Sequence, residues 1–432
     1  MNFGFMRRTD QVFGISNKVL PDSYIDRGAL DQEIQKLLQR PTHIALRGES
    51  KCGKSWLRQK NISDGLTIQC RLDRGVQDLY IDALSQLGIK LTLENTTTGK
   101  ISGHVKAEAT LGEGLIAKVL GASVAAKADV EGERGTESKH ETVGHNVSDL
   151  RFVADLIKAS GRRLIIEDFH YLTVDERKKF AFDLKALWDY GVFVVIIGVW
   201  SQSNMLIFLN PDLTGRIEEV SIYWSDDDLG KVLEKGGHAL NIEFSADFRA
   251  RAIKDCYNNV GILQSLTLKA LDFLSVTETC ANKTIIDHEE ALQTAALQYA
   301  EQLNPLYQQF AKRVSSGIRI RKDSTGIYAY AMAVILDAQD YLLLRGIGID
   351  YIFENANARE PRIQKGNLRT VLEKFEQLQI DEQGRGLVIS YNEATSEITV
   401  VDRQLLLYRR YLTVKWPWED IIAEAKQTQF EL

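Results

Sequence analysis

The chain has 432 residues, 44% of them hydrophobic and 26% charged. That is enough for two or three domains, each with its own core, and it excludes a largely disordered protein. A formal net charge of −6 and a pI near 5.8 exclude coating of nucleic acid through charge alone, though a local basic face could still exist inside that average.

The four cysteines, Cys52, Cys70, Cys256 and Cys280, form no C-x-x-C pair and have no histidine at zinc-ligand spacing. Neither a zinc site nor a disulfide framework is expected. No stretch reaches the roughly 18 apolar residues of a membrane span, and Arg7 and Arg8 precede no apolar run, so a cytoplasmic protein is expected.

In chain order, residues 22 to 40 read as a leading segment and then an amphipathic helix, with Leu30, Ile34 and Leu37 at helical spacing. Thr42 to Leu46 is a short apolar strand running into Gly48. Further strands fit Leu66 to Cys70, Leu164 to Ile166, Val192 to Ile197 and Val220 to Tyr223, with a helix over Gln77 to Leu87. Strands alternating with helices predict an α/β domain with a mostly parallel sheet, over residues 1 to 225. From Asp226 to about residue 310 the pattern is helical, as in a lid domain. Residues 311 to 432 give three helices and then two alternating strands, Leu387 to Tyr391 and Glu397 to Val401, the order of a winged helix.

An insertion over residues 96 to 146 interrupts this plan. Val105, Ala107 and Ala109 alternate with Lys106 and Glu108, as do Ala126, Ala128 and Val130 with Lys127, Asp129 and Glu131. Between them lie Leu115, Ile116, Val119 and Leu120, so a β-hairpin arm with an apolar tip is expected. A solvated loop, an oligomer or partner contact, and a membrane-inserting hairpin all fit that description.

The chemistry centres on Gly48, Glu49, Ser50, Lys51, Cys52, Gly53, Lys54 and Ser55, a complete G-x-x-x-x-G-K-S motif between a predicted strand and a helical run from Trp56. The glycines let backbone N–H groups face phosphate oxygens, Lys54 reaches the β- and γ-phosphates of ATP, and Ser55 ligates Mg²⁺. The strand ending in Glu167 and Asp168 supplies the second acidic element. Glu167 in the metal role leaves Asp168 as a short base and slow hydrolysis; Asp168 in the metal role leaves the base to another residue. His170 reads as a hydrogen-bonding residue, Ser201 or Gln202 as a reporter of the γ-phosphate, and Arg216 as an arginine finger acting across a subunit interface.

In these features the chain resembles the AAA+/STAND branch of P-loop ATPases, in particular bacterial ATPases with replication-initiator-like domain order, including those tied to transposition and antiphage defence. The segment Tyr24-Ile25-Asp26-Arg27, the phosphate loop, Glu167 to His170, Asp212 to Arg216, the lid and the terminal domain follow in the family's order. The resemblance implies that Tyr24 and Arg27 lie near the adenine. It also leads one to expect a nucleotide-sensing lid arginine at Asn259 to Leu263, where none stands.

Two functions follow. One is an ATP-dependent homo-oligomeric switch, in antiphage defence, that activates or recruits a separate effector protein. The other is an ATPase of replication or transposition that grips duplex DNA through Lys365, Asn367 and Arg369 of the terminal domain. Residues 312 to 411 carry 15 Lys plus Arg against 13 Asp plus Glu, a thin excess for phosphate binding.

Overall fold

The computed structural model describes residues 6–95, 101–107, 114–115, 118–119, 149–200, 202–317, 325–379 and 387–430. It divides into two compact units. One comprises Ala29–Arg47 and Leu57–Ser221; the other comprises Met1–Gly28, Gly48–Trp56 and Ile222–Leu432.

The first unit is the α/β body. It contains helices α1 (Leu30–Leu38), α2 (Lys54–Asn61, from Leu57 on), α3 (Val76–Gln86), α4 (Leu150–Ser160), α5 (Val174–Asp189) and α6 (Met205–Leu209). Its strands are β1 (His43–Arg47), β2 (Gly65–Gln69), β3 (Ile89–Asn95), β4 (Ile101–Ala107), β5 (Arg163–Glu167), β6 (Val194–Gly198) and β7 (Ile217–Ser221). Five of them form one sheet in the order β2-β5-β6-β1-β7, and every pairing is parallel.

Near-continuous apolar runs such as Val194 to Ile197 suit strands covered on both faces, because parallel strands need helical crossovers. The helices are set by local signals. Asp149 caps α4 by accepting from the Phe152 amide, Gly161 at φ 70° ends it, and Thr173 caps α5 by accepting from the Glu176 amide. Leu79, Val153, Leu156, Phe180 and Leu184 then bury against Leu66, Leu164 and Ile196 of the sheet.

The insertion departs from expectation. Its antiparallel hairpin pairs β3 with β4, Ile89 opposite Ala107 and Asn95 opposite Ile101, so the strands lie earlier than the alternation suggested. Leu115, expected at an exposed tip, is 8% exposed and joins the core of the α/β body, with Val119 packed against it. Burial of these side chains beside α3 and α4 removes more apolar area from water than an exposed tip would. The second alternating segment, Ala126 to Glu131, lies outside the described residues.

The second unit holds α7 (Asp226–Ala239), α8 (Ala246–Asp255), α9 (Val260–Phe273), α10 (Glu289–Ser316), α11 (Ile327–Asp337), α12 (Asp340–Arg345), α13 (Ile349–Arg359), α14 (Lys365–Glu373), α15 (Phe375–Gln379), α16 (Gln404–Tyr411) and α17 (Pro417–Phe430). Strands β8 (Ile242–Phe244) and β9 (Thr284–Ile286) form a small parallel pair that the helical reading did not foresee, being only three residues each. Strands β10 (Ile347–Gly348), β11 (Ile389–Asn392) and β12 (Glu397–Val400) form a three-stranded sheet in the order β10-β12-β11.

The expected division at residue 310 falls inside α10, a 28-residue helix. Tyr299, Leu303, Tyr307, Phe310 and Val314 are buried along α10, which packs on α9, α11 and α16 and so ties the lid segment and the terminal segment into one body. The expected DNA-reading helix over Ile363 to Leu378 is broken at Lys374 into α14 and α15.

Candidate functional site

The phosphate loop is held within the second unit. Lys51 has φ 61° and Gly53 φ 90°, the latter a conformation that favours glycine. Gly48 has no room for a side chain, since a Cβ there would lie 2.6 Å from Cys52 Sγ and 3.3 Å from Ile222 Cβ. The Lys54 ammonium, 9% exposed by residue, donates to Gly48 O at 2.9 Å and to Glu49 O. Ser55, in the first turn of α2, is exposed, and the Trp56 indole N–H donates to Ser16 O at 2.9 Å.

Successive carbonyls of the loop are taken up by the same unit. Asn259 Nδ2 donates to Ser50 O at 2.8 Å, the Gly261 amide donates to Lys51 O at 3.1 Å, and the Trp224 indole donates to Cys52 O at 2.9 Å. Arg27, 7% exposed, also donates to Cys52 O at 3.2 Å and lies 4.1 Å above the Trp224 ring. Arg27, expected near the adenine, thus meets the phosphate motif at a backbone carbonyl. Tyr24 is half-buried, and its carbonyl accepts from Lys235 Nζ at 2.8 Å.

The loop's charged side chains meet the segment just before and at the start of α16. Arg403 forms an ion pair with Glu49 and donates to Tyr257 O at 2.6 Å. The Lys51 ammonium donates to Gln404 Oε1 at 2.6 Å, as does the Tyr299 hydroxyl at the same distance. Gln404 Nε2 in turn donates to Asp402 Oδ1 at 3.0 Å, and Asp402 Oδ2 accepts from Tyr307 at 2.8 Å. Burial pushes the Glu49 carboxyl up to about 7 in spite of Arg403, and burial lowers Lys51.

Sequence reasoning missed Arg403, Gln404 and Tyr299, because no short motif links residues 248 to 353 positions apart. Asn259 carried a local signal: an Asn before a helical run caps it, and its Oδ1 accepts from the Gly261 and Ile262 amides.

The acidic element belongs to the α/β body. Glu167 ends β5, and its Oε1 accepts from Arg58 of α2, at 3.1 Å from Nε and 2.9 Å from Nη2. The two side chains are 14% and 15% exposed. Asp168 takes φ 56°, uncommon for a non-glycine residue, and its Oδ2 accepts from Gln69 Nε2 of β2 at 2.9 Å. His170 Nδ1 accepts from the Val199 amide at 3.3 Å, in keeping with a structural hydrogen bond.

The loop after β6 is anchored by Glu219 of β7, which accepts from the Trp200 indole at 3.2 Å and the Asn204 amide at 3.1 Å and pairs with Arg47 at 3.3 Å. Gln202 is in this loop, and Ser201 lies outside the described residues. Arg216 precedes β7 at the amino end of the sheet, where its guanidinium covers Trp188 at 4.9 Å and donates to Asp212 O. β1 runs parallel to β7, so the phosphate loop leaves from the carboxyl end and Arg216 sits at the other.

No family model and no curated protein matches the chain. Among solved structures it is similar to the Orc1 protein of Aeropyrum pernix in complex with DNA, at 10% identity over 100% of both chains and a TM-score of 0.40. It is also similar to a Signal Transduction ATPase with Numerous Domains (STAND) protein with a tetratricopeptide repeat sensor from Pyrococcus horikoshii, at 10% identity over 94% of this chain and 45% of that one, with a TM-score of 0.38. A third is the Thermotoga maritima RuvB Holliday junction branch migration motor, at 12% identity over 89% and 93% of the two chains, with a TM-score of 0.34. The assignment of roles rests on this chain's own residues. Among the described residues no helix is long and apolar enough to cross a membrane.

Proposed function

We propose that the chain is an ATP-binding switch of the AAA+/STAND type that hydrolyses its nucleotide slowly, assembles with copies of itself, and activates or recruits a separate effector. The family resemblance suggests antiphage defence as its setting. The observation that carries the nucleotide is the complete phosphate motif from Gly48 to Ser55, with the Lys54 ammonium resting on the carbonyls of its own loop. A polyphosphate offers that ammonium a full negative charge in place of carbonyl dipoles, so binding draws Lys54 outward.

Mg²⁺ would offset the charge that develops in phosphoryl transfer, and by the motif reading Ser55 and Glu167 would be its oxygen donors. Asp168, next to Glu167 in sequence, orients the attacking water, and Arg216 serves a neighbouring subunit's nucleotide. The grip of Arg403 and Gln404 on Glu49 and Lys51 supports the switch, since any shift of the loop is felt at α16.

The alternative is a DNA-loading ATPase, favoured by the helices and three-stranded sheet of residues 327 to 400, a winged-helix order. Against it, Lys365 already forms an ion pair with Asp350. Mass photometry with ATP, with ADP and without nucleotide separates the readings. The switch predicts growth in mass with ATP alone, lost in Lys54→Ala and Arg216→Ala. Unchanged monomer mass at saturating ATP would overturn it, and growth only with duplex DNA would favour the alternative.

A further inference from the structure

The carboxylate best suited to a metal is already engaged. Arg58 stands four residues after Lys54, one turn along α2, and both Nε and Nη2 converge on Glu167 Oε1. Both side chains are largely withdrawn from water, at 15% and 14% exposed, so the pair is screened less than a surface ion pair. Next to it, Asp168 is held by Gln69, one position before Cys70 and paired in register with Glu167 across β2 and β5. Each acid of the β5 terminus thus has a donor from a different element, α2 for one and β2 for the other.

We propose that Arg58 is a positioning residue that withholds Glu167 from a divalent cation and so sets how strongly Mg²⁺ reinforces nucleotide binding. Two effects act in the same direction. A small divalent cation needs an oxygen lone pair at about 2.0–2.1 Å with near-ideal geometry, and Oε1 is turned toward two N–H donors instead. A fixed guanidinium beside the carboxylate also cancels much of the negative potential that draws a cation in. Mg²⁺ therefore gains less from Glu167 while Arg58 is in place, and a subunit with Arg58 in place hydrolyses slowly.

This inference rests on the nucleotide reading, and its test separates the two. The affinity for a fluorescent ATP analogue is measured in EDTA and in saturating Mg²⁺ for the full-length wild type, Arg58→Gln, Arg58→Lys, Glu167→Gln and the Arg58→Gln/Glu167→Gln double variant. The EDTA affinities of the wild type, Arg58→Gln and Arg58→Lys should agree, because Arg58 is outside the phosphate loop. The gain on adding Mg²⁺ should rise about tenfold in Arg58→Gln, the scale of one charge-assisted hydrogen bond released. Arg58→Lys keeps the charge and should stay near the wild type. The rise should vanish when Glu167 is also replaced, which a merely structural role for Arg58 would not produce. A Mg²⁺ gain in Arg58→Gln that is unchanged or smaller, with EDTA binding intact, would overturn the inference. Absence of analogue binding by the wild type in both conditions would overturn the nucleotide reading and this inference with it.

Discussion

His43, in the middle of the sheet on β1, makes the stability of the α/β body depend on pH with a definite sign. It is fully buried; its Nε2–H donates to Leu184 O at 2.9 Å and its Nδ1 accepts from the Val194 amide at 3.0 Å, an arrangement open only to the neutral ring. Burial lowers its pKa from 6.5 to about 4, with Arg163 acting in the same direction and the Leu184 carbonyl against it. Between those values the unfolded chain binds a proton that the folded chain refuses. Stability from this group is therefore full above 6.5 and falls as the pH drops toward 4, by about 3 kcal/mol over the whole interval. Glu49 has the opposite sign, because its carboxyl is raised to about 7 and its contribution is lost as the pH rises from 4.5. The two partly cancel in the wild type, so the measurement is a difference. His43→Asn keeps Glu49 and removes the imidazole, and urea midpoints of both proteins are followed by circular dichroism. Their stability difference should shrink by about 2 kcal/mol between about pH 7.5 and about pH 5. A difference that stays flat across that range would refute the reasoning.

Two further substitutions test the second unit. Asp255, with a side chain 3% exposed, pairs with Arg251 at 2.8 Å and Arg410 at 2.7 Å and accepts from the Tyr411 hydroxyl at 2.7 Å. Asp255→Ala leaves two guanidinium groups facing each other and should cost about 3–5 kcal/mol in chemical denaturation. Gly261→Ala places a Cβ 2.5 Å from Lys51 Cβ and 2.8 Å from Lys51 O, and backbone cannot yield as a side-chain tip can. The phosphate loop must shift, and analogue binding by fluorescence should weaken about tenfold or more, with wild-type affinity arguing against the contact.

Legibility in the sequence followed range. The phosphate loop, its strand and the helix after it were readable because glycine, lysine and serine at fixed spacing act locally. The strands ending near Glu167 and Gly198 were readable because buried parallel strands leave apolar runs. The first strand of the hairpin was missed because the alternation stands out only from Val105, near the end of β4, and nothing local says which partner a strand takes. β8 and β9 were too short to show a period. Arg58 carries no local signal of its partner, and only the parallel placement of β2 beside β5 brings Glu167 and Gln69 into register.

The sequence also led to a search for a lid arginine at Asn259 to Leu263. What stands there is an asparagine that caps α9 with its oxygen and holds Ser50 O with its nitrogen. The arginine that meets the loop's charged side chains is instead Arg403, just ahead of α16, and it meets Glu49 rather than open solvent. This exchange bears on the switch reading. A lid arginine facing solvent would gain a partner only when nucleotide arrives, whereas Arg403 already has one. Glu49 at the same time sits where a polyphosphate's negative charge would raise its energy further, being a buried carboxylate already pushed toward neutrality. Under that reading ATP and Glu49 compete for one cation. Nucleotide occupancy is then transmitted to the terminal segment by electrostatics through Arg403, by way of Glu49 and Lys51 at the variable positions of the motif.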